Sequence, residues 1–137
     1  MSLIAPLLQN PHTFAVVGVS QDLSKYGYEV FETLTRHGHH VLPINQKYAA
    51  INGQPCYPSL PDLPHNPDVV VTADPASVSA KIAEAFATLG IPFFWVLPGT
   101  ESEAALEICQ QNGVTAIHGF CPIFVLKLPR ERWHELP

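Results

Sequence analysis

The sequence is short of charge. Only 14% of its 137 residues are Asp, Glu, Lys or Arg, and 7 basic side chains against 12 acidic ones leave a formal charge of -5. No basic cluster is present, so the chain lacks the footprint needed to hold a phosphate backbone, and nucleic acid is excluded as a partner. Long apolar runs are also missing: stretches such as residues 91–97 fall far below the roughly 18 residues that span a bilayer. No basic segment precedes the short apolar run at the start, so a membrane role is not expected and the cytoplasm is the expected compartment. Cys56, Cys109 and Cys121 have neither an even count nor ligand-like spacing. Reduced thiols are expected, with no disulfide framework and no metal site. Neither a serine nucleophile elbow, nor a paired-carboxylate constellation, nor a phosphate-binding loop of the G-x-x-x-x-G-K type occurs, so no catalytic residues are assigned.

What is present is an alternation of elements. Three times a helical segment runs into a glycine stop and then an apolar β-like run: Gly38 before Val41-Leu42-Pro43-Ile44, Gly90 before Phe93-Phe94-Trp95-Val96, and Gly113 before Val114-Thr115-Ala116-Ile117. Each glycine suits the left-handed position that closes a helix. Strands are predicted at 13–19, 40–44, 67–72, 92–97 and 114–117. Several are continuously apolar, which fits a parallel sheet covered on both faces. Helices are predicted over 24–37, where Tyr26, Val30, Phe31 and Leu34 form a stripe, and over a segment containing Val78, Ile82, Ala85, Phe86 and Leu89 that opens at Asp74-Pro75. A third is expected after Thr100-Glu101-Ser102-Glu103, which has capping-box spacing.

The mean hydropathy of +0.12 and the length suit one packed core rather than a nucleotide-binding domain plus a substrate domain. The expected architecture is a single α/β domain over 1–137, with a lead-in at 1–12 and a tail at 122–137 that packs on the domain, either as a short helix or over a sheet edge. It is a Rossmann-like three-layer sandwich of about five parallel strands in the order 3-2-1-4-5, linked by right-handed crossovers. Residues 45–65, broken by Gly53 and four prolines, read as a long ordered loop with room for one helical turn.

In such a sheet a ligand sits at the carboxyl end of the first strand, which directs attention to Gly18, Val19 and Ser20. The turn is not G-x-G-x-x-G, yet its main-chain N–H groups and the helix start after it can form an anion site; a packing glycine is the alternative. At the end of the second strand an NAD-binding fold carries a carboxylate. Here the chain reads Asn45-Gln46-Lys47, and a lysine there suits an extra phosphate, such as the 3′-phosphate of coenzyme A or the 2′-phosphate of NADP.

Gly18-Val19-Ser20, Lys25-Tyr26-Gly27, Val41 to Asn45, Cys56 to Leu60, Trp95 to Gly99 and Cys121-Pro122, in this order and spacing, resemble the small stand-alone CoA-binding proteins. The resemblance covers roughly residues 11–127. It implies a domain similar to the CoA-binding domain of the succinyl-CoA synthetase α subunit. By position it implies that Gly18, Val19 and Ser20 hold the pyrophosphate, that Lys25 and Tyr26 stand beside the nucleotide, and that Asn45 and Lys47 meet the ribose phosphate and adenine. Thr72, Ala73, Pro98 and Gly99 would line the channel. Gln46, Leu97 and Asp74 depart from the family's usual residues.

Other candidates are weaker. His37, His39 and His40 flank a helix C-terminus, where a structural or solvent-facing role is expected; His118 has no identifiable partner. Cys121 is placed either near the thiol end of a bound cofactor or in the core as a small hydrophobe. Three functional classes fit: a non-catalytic module for coenzyme A or a short acyl-CoA, a small NADP-linked oxidoreductase, and a ligand-free scaffold acting through protein contacts. A protein partner or homo-oligomer is compatible with all three, and Trp133 and the apolar tail are candidates for such an interface.

Overall fold

A computed structural model describes residues 4–19, 21, 22, 24–73, 90–97, 103–117, 122–127 and 132. The expected second helix with its Asp74-Pro75 start lies outside the described residues, as do residues 100–102 of the expected capping box, His118 and Trp133.

The described elements are helix α1 (Ile4–Gln9), strand β1 (Thr13–Val17), helix α2 (Tyr26–Arg36), strands β2 (His40–Ile44), β3 (Ala50–Ile51) and β4 (Gln54–Pro55), a 3-10 turn (Leu60–Asp62), strands β5 (Val69–Thr72) and β6 (Phe93–Val96), helix α3 (Glu103–Gln111), strand β7 (Thr115–Ile117) and helix α4 (Pro122–Lys127). Five strands form one parallel sheet, and β3 and β4 form a separate antiparallel hairpin.

Alternation of side chains across the pleat divides the core into two layers. Phe14, Val16, Val69, Val71, Trp95 and Leu97 point to one face and meet Leu7 and Leu8 of α1, Val30, Phe31 and Leu34 of α2, and Ile123 and Val125 of α4. Ala15, Val17, Val70, Phe94 and Val96 point to the other and meet Ala105 and Cys109 of α3. Strands buried on both faces need apolar residues at every position, which is why they read as continuous runs. Helices α2 and α3 both end as the glycine pattern implied. The His39 amide donates to Leu34 O while Gly38 donates to Thr35 O, and Val114 donates to Cys109 O while Gly113 donates to Gln110 O. This pairing satisfies the terminal helical carbonyls.

The strand order differs from expectation. In place of 3-2-1-4-5, the five main strands run 2-1-3-4-5, that is β2-β1-β5-β6-β7. The physical reason is Pro43. Its carbonyl faces away from β1 and accepts the Tyr57 amide at 3.0 Å. Its ring nitrogen, on the same side of the strand, has no hydrogen to give to a further strand. β2 is therefore confined to the edge, closed by a single bridge between Ile44 and Tyr57. β5, whose four residues are all buried, takes the interior place beside β1.

The long loop also contains more order than its prolines suggest. Asn52 and Gly53 both have positive φ, 50° and 79°. That is the signature of the tight turn favoured by Asn-Gly in hairpins. In the tail, α4 packs on the α2 face, contributing Ile123 and Val125 to the core.

His39 is buried, 5% exposed, its ring centroid 4.8 Å from that of Phe14 in an edge-on arrangement and its Nδ1 accepting the His12 amide at 3.2 Å. Burial lowers its pKa, as do the nearby His12 and His37; the Leu8 backbone opposes the shift. The unfolded chain therefore binds this proton more readily than the folded one, and stability falls as the pH drops below the ordinary histidine value of about 6.5. Thermal melting should show a decline in Tm between about pH 7.5 and 5.5 that is shallower in His39→Asn, which keeps an acceptor but cannot be protonated. Equal slopes in the two proteins would place the effect elsewhere.

Candidate functional site

With β2 at the edge, the chain reverses direction across the sheet between β1 and β5. The crevice beyond their carboxyl ends is the place where open α/β sheets bind ligands. Val17-Gly18 and Thr72-Ala73 stand on its two sides, joined by the Ala73 amide donating to Val17 O at 2.9 Å. Gly18 has φ 94°, a conformation that turns the chain sharply off the strand, and its amide donates to Ile44 O at 3.0 Å. Of the amides assigned to the anion cradle, that of Gly18 is thus committed to the sheet.

The first turn of α2 lies directly on this turn. A Cβ built on Gly27 would overlap the Gly18 carbonyl oxygen and come within 3.4 Å of the Ala73 Cβ. Only a hydrogen at this position lets the helix backbone sit on the end of β1. Gly27 was visible in the sequence as part of a motif but was not assigned to the site; a glycine in the first turn of an otherwise amphipathic helix was the available signal.

Helix α2 begins at a residue unable to cap it. Lys25 occupies the N-cap with extended backbone and makes no side-chain cap hydrogen bond; an ammonium has only donors, whereas capping needs an acceptor. The nearby Asp22 carboxylate instead accepts from the Ser24 hydroxyl at 2.7 Å and from the Ser24 amide at 3.0 Å. These two bonds, with Lys25 nearby, hold the Asp22 pKa below its usual value. Among the described residues no acceptor meets the amides of Val19 or Tyr28. A helix start of this kind presents N–H dipoles that favour an anion.

The other assigned residues divide into two groups. Lys25, Tyr26 and Lys47 are exposed, and among the described residues neither lysine is in an ion pair. Val19 has its side chain fully in the core, so only its backbone is available. Asn45 has both side-chain atoms engaged: Nδ2 donates to Val19 O at 2.8 Å, and Oδ1 accepts the Lys47 amide at 2.8 Å. It ties the first turn to the end of β2 rather than standing open in the crevice. Thr72 is fully buried and Ala73 partly so. Leu97 is buried, its amide 3.4 Å from Thr72 O. Ser20, Pro98, Gly99 and Cys121 lie outside the described residues. Of the thiols described, Cys56 and Cys109 are buried; burial raises both pKa values, that of Cys109 to about 11, so neither is a ready nucleophile.

Three residues beside the crevice escaped the sequence reading. Gln21 Nε2 donates to Ala50 O at 3.0 Å, and Asn52 Nδ2 donates to the Tyr28 hydroxyl at 2.9 Å. Gln21 and Asn52 thus join the β3–β4 hairpin to the turn and to α2. Such partners are far apart in sequence, and no local pattern announces them.

Residues 12–127 match the family model described as the CoA binding domain. This chain belongs to the CoA-binding domain family. It is 25% identical over 118 residues to YneT of Bacillus subtilis, spanning 86% of this chain and 87% of that protein. It is also 31% identical over 97 residues to the ADP-forming acetate–CoA ligase I of Archaeoglobus fulgidus, covering 71% of this chain. The match takes in 14% of that ligase, so the chain corresponds to a small part of it. Among solved structures, a conserved protein from Pyrococcus furiosus superposes with a TM-score of 0.78 at 34% identity, covering 82% of this chain and 97% of that one. The dinucleotide-forming acetyl-coenzyme A synthetase 1 of Ca. Korarchaeum cryptofilum superposes with a TM-score of 0.70 at 29% identity over 78% of this chain and 25% of that one. Among the described residues no helix is long and apolar enough to cross a membrane, and no group of three or more His, Cys, Asp or Glu side chains is placed to hold a metal.

The contact between α2 and the first turn is open to a direct test. Gly27→Ala should lower folding stability by about 1–3 kcal/mol through overpacking, despite the gain of about 1 kcal/mol that alanine brings to a helix interior. Denaturant melts report the difference, and an unchanged or raised stability would contradict the close approach.

Proposed function

We propose that this protein binds coenzyme A, free or carrying a short acyl group, and holds it without transforming it. The diphosphate lies over the turn from Gly18 to Ser20 and the start of α2; the ribose 3′-phosphate is met by Lys47, with Lys25 and Tyr26 beside the nucleotide. Thr72 and Ala73, with Pro98 and Gly99, line the path toward the thiol.

The observation that carries this reading is the start of α2, fixed on Gly18 by the glycine–glycine contact, where a lysine that makes no cap hydrogen bond holds the N-cap and the Val19 and Tyr28 amides meet no acceptor among the described residues. A diphosphate supplies the missing acceptors, and membership of the CoA-binding family identifies the class of ligand. The residues fit the group: the Val19 and Tyr28 amides are donors without an acceptor among the described residues, and the flexible cations Lys25 and Lys47 are exposed. Asn45 belongs to the support of this site. It positions Lys47 and the Val19 carbonyl from behind.

Binding without chemistry is supported by the two described thiols, Cys56 and Cys109, which burial keeps protonated at neutral pH. The ligase and synthetase activities named for the larger relatives are not carried over, since the chain corresponds to 14% and 25% of those proteins.

Native mass spectrometry of the freshly purified protein should show a retained ligand with the mass of coenzyme A or an acyl-CoA. In thermal melts, coenzyme A at about 100 times its dissociation constant should add roughly 2.7 kcal/mol of stability, with dephospho-coenzyme A giving less and NAD none. Lys47→Ala should weaken coenzyme A about tenfold or more, the usual scale of a charge-assisted contact, while leaving dephospho-coenzyme A nearly unchanged. Stabilisation by NADP in preference to coenzyme A would replace this reading with that of an NADP-linked protein, and no response to any nucleotide would leave a ligand-free scaffold.

A further inference from the structure

We propose that Gln21, Asn52 and Tyr28, together with Asn45, are positioning residues that set the distance between the diphosphate turn and Lys47, and thereby carry the discrimination for a ligand bearing a second phosphate on its ribose. The inference rests on the binding reading above and adds to it the part of the protein that measures the ligand.

Three side-chain hydrogen bonds cross between residues 19–28 and residues 45–52. Asn45 Nδ2 reaches Val19 O at 2.8 Å, Gln21 Nε2 reaches Ala50 O at 3.0 Å, and Asn52 Nδ2 reaches the Tyr28 hydroxyl at 2.9 Å. The first of these segments carries the turn; the second carries Lys47. Lys47 is held on both sides, by the bond from its own amide to Asn45 Oδ1 and by the hairpin that begins three residues later at Ala50. A lysine is a compact charge on a long flexible stem, so the volume its ammonium samples depends on how firmly its backbone is held. Its attraction for a phosphate falls with distance, so fixing the backbone fixes the preference.

The chemistry of the three donors is uniform: all are carboxamides. A carboxylate tether would add negative charge beside a polyanion, and a lysine or arginine tether would consume a cation in a chain that has only 7. Neutral amides connect the two walls while leaving the field of the site to Lys25 and Lys47. The Asn-Gly turn serves the same end: Asn52 takes the left-handed conformation the hairpin needs, and its side chain reaches α2 from there.

The test uses the double variant Gln21→Ala, Tyr28→Phe, which removes one donor and one acceptor and alters no left-handed backbone position. Calorimetric titration of the intact chain with coenzyme A and with dephospho-coenzyme A gives the ratio of the two affinities. The wild type should favour coenzyme A by about tenfold or more, and the double variant by less than about threefold. Binding of dephospho-coenzyme A should stay within about threefold of wild type. A role confined to fold stability would lower Tm or weaken both ligands in parallel and leave the ratio unchanged; that result, or unchanged binding of both, overturns the proposal. A wild type that binds coenzyme A and dephospho-coenzyme A equally overturns it as well. A wild type that binds neither defeats the underlying reading itself, whereas a discriminating wild type with an equally discriminating variant defeats the positioning role alone.

Discussion

The close approach of two backbones, Gly27 on Gly18, is the constraint on which the rest of the architecture depends. It brings the first turn of α2 onto the carboxyl end of β1, closer than a side chain at position 27 would permit. The helix then covers one face of the sheet with Val30, Phe31 and Leu34, and its N–H dipoles look out over the crevice between β1 and β5. Were the helix held further away, the same sequence would still form a sheet and a helix. The proposed anion site would be lost, because donors at a helix start act only over a short range.

The binding proposed around this contact has a polyanion held by a protein with little charge. A domain of net charge -5 does not attract coenzyme A through its overall field, so recognition has to be local. In the proposed site, backbone amides supply dipoles that no mutation of a neighbouring side chain removes, and the two exposed lysines, Lys25 and Lys47, are assigned the remainder. The acidic group in the same loop, Asp22, is turned to local use by Ser24 and keeps its charge bound up in two hydrogen bonds. Carboxamides perform the structural tethering, so positioning and electrostatics are assigned to different residue types.

Features that depend on neighbours in sequence were readable in advance. The Schellman-type ends at Gly38 and Gly113, the five parallel strands and the two-sided burial all follow from local periodicity and glycine placement. Two local signals were present but outweighed: Asn52-Gly53, whose flanking strands of two residues each are too short to show alternation, and Pro43, whose missing donor bars β2 from the sheet interior. The lysine at the head of α2 was a third. Resemblance implies its place beside the ligand; its inability to cap α2, a donor where an acceptor is needed, is a separate signal that the sequence also carries.

By itself the sequence determined the five strands of the main sheet, helices α2 and α3 and the glycine ends of both, because hydrophobic period and backbone freedom act over a few residues. It also determined the family, through motifs held in register along the chain. The tertiary structure decided the strand order, the burial of His39 against Phe14, and the bonds that join Gln21 to Ala50, Asn45 to Val19 and Asn52 to Tyr28. Those depend on residues brought together only when the sheet closes, so no local energy term encodes them.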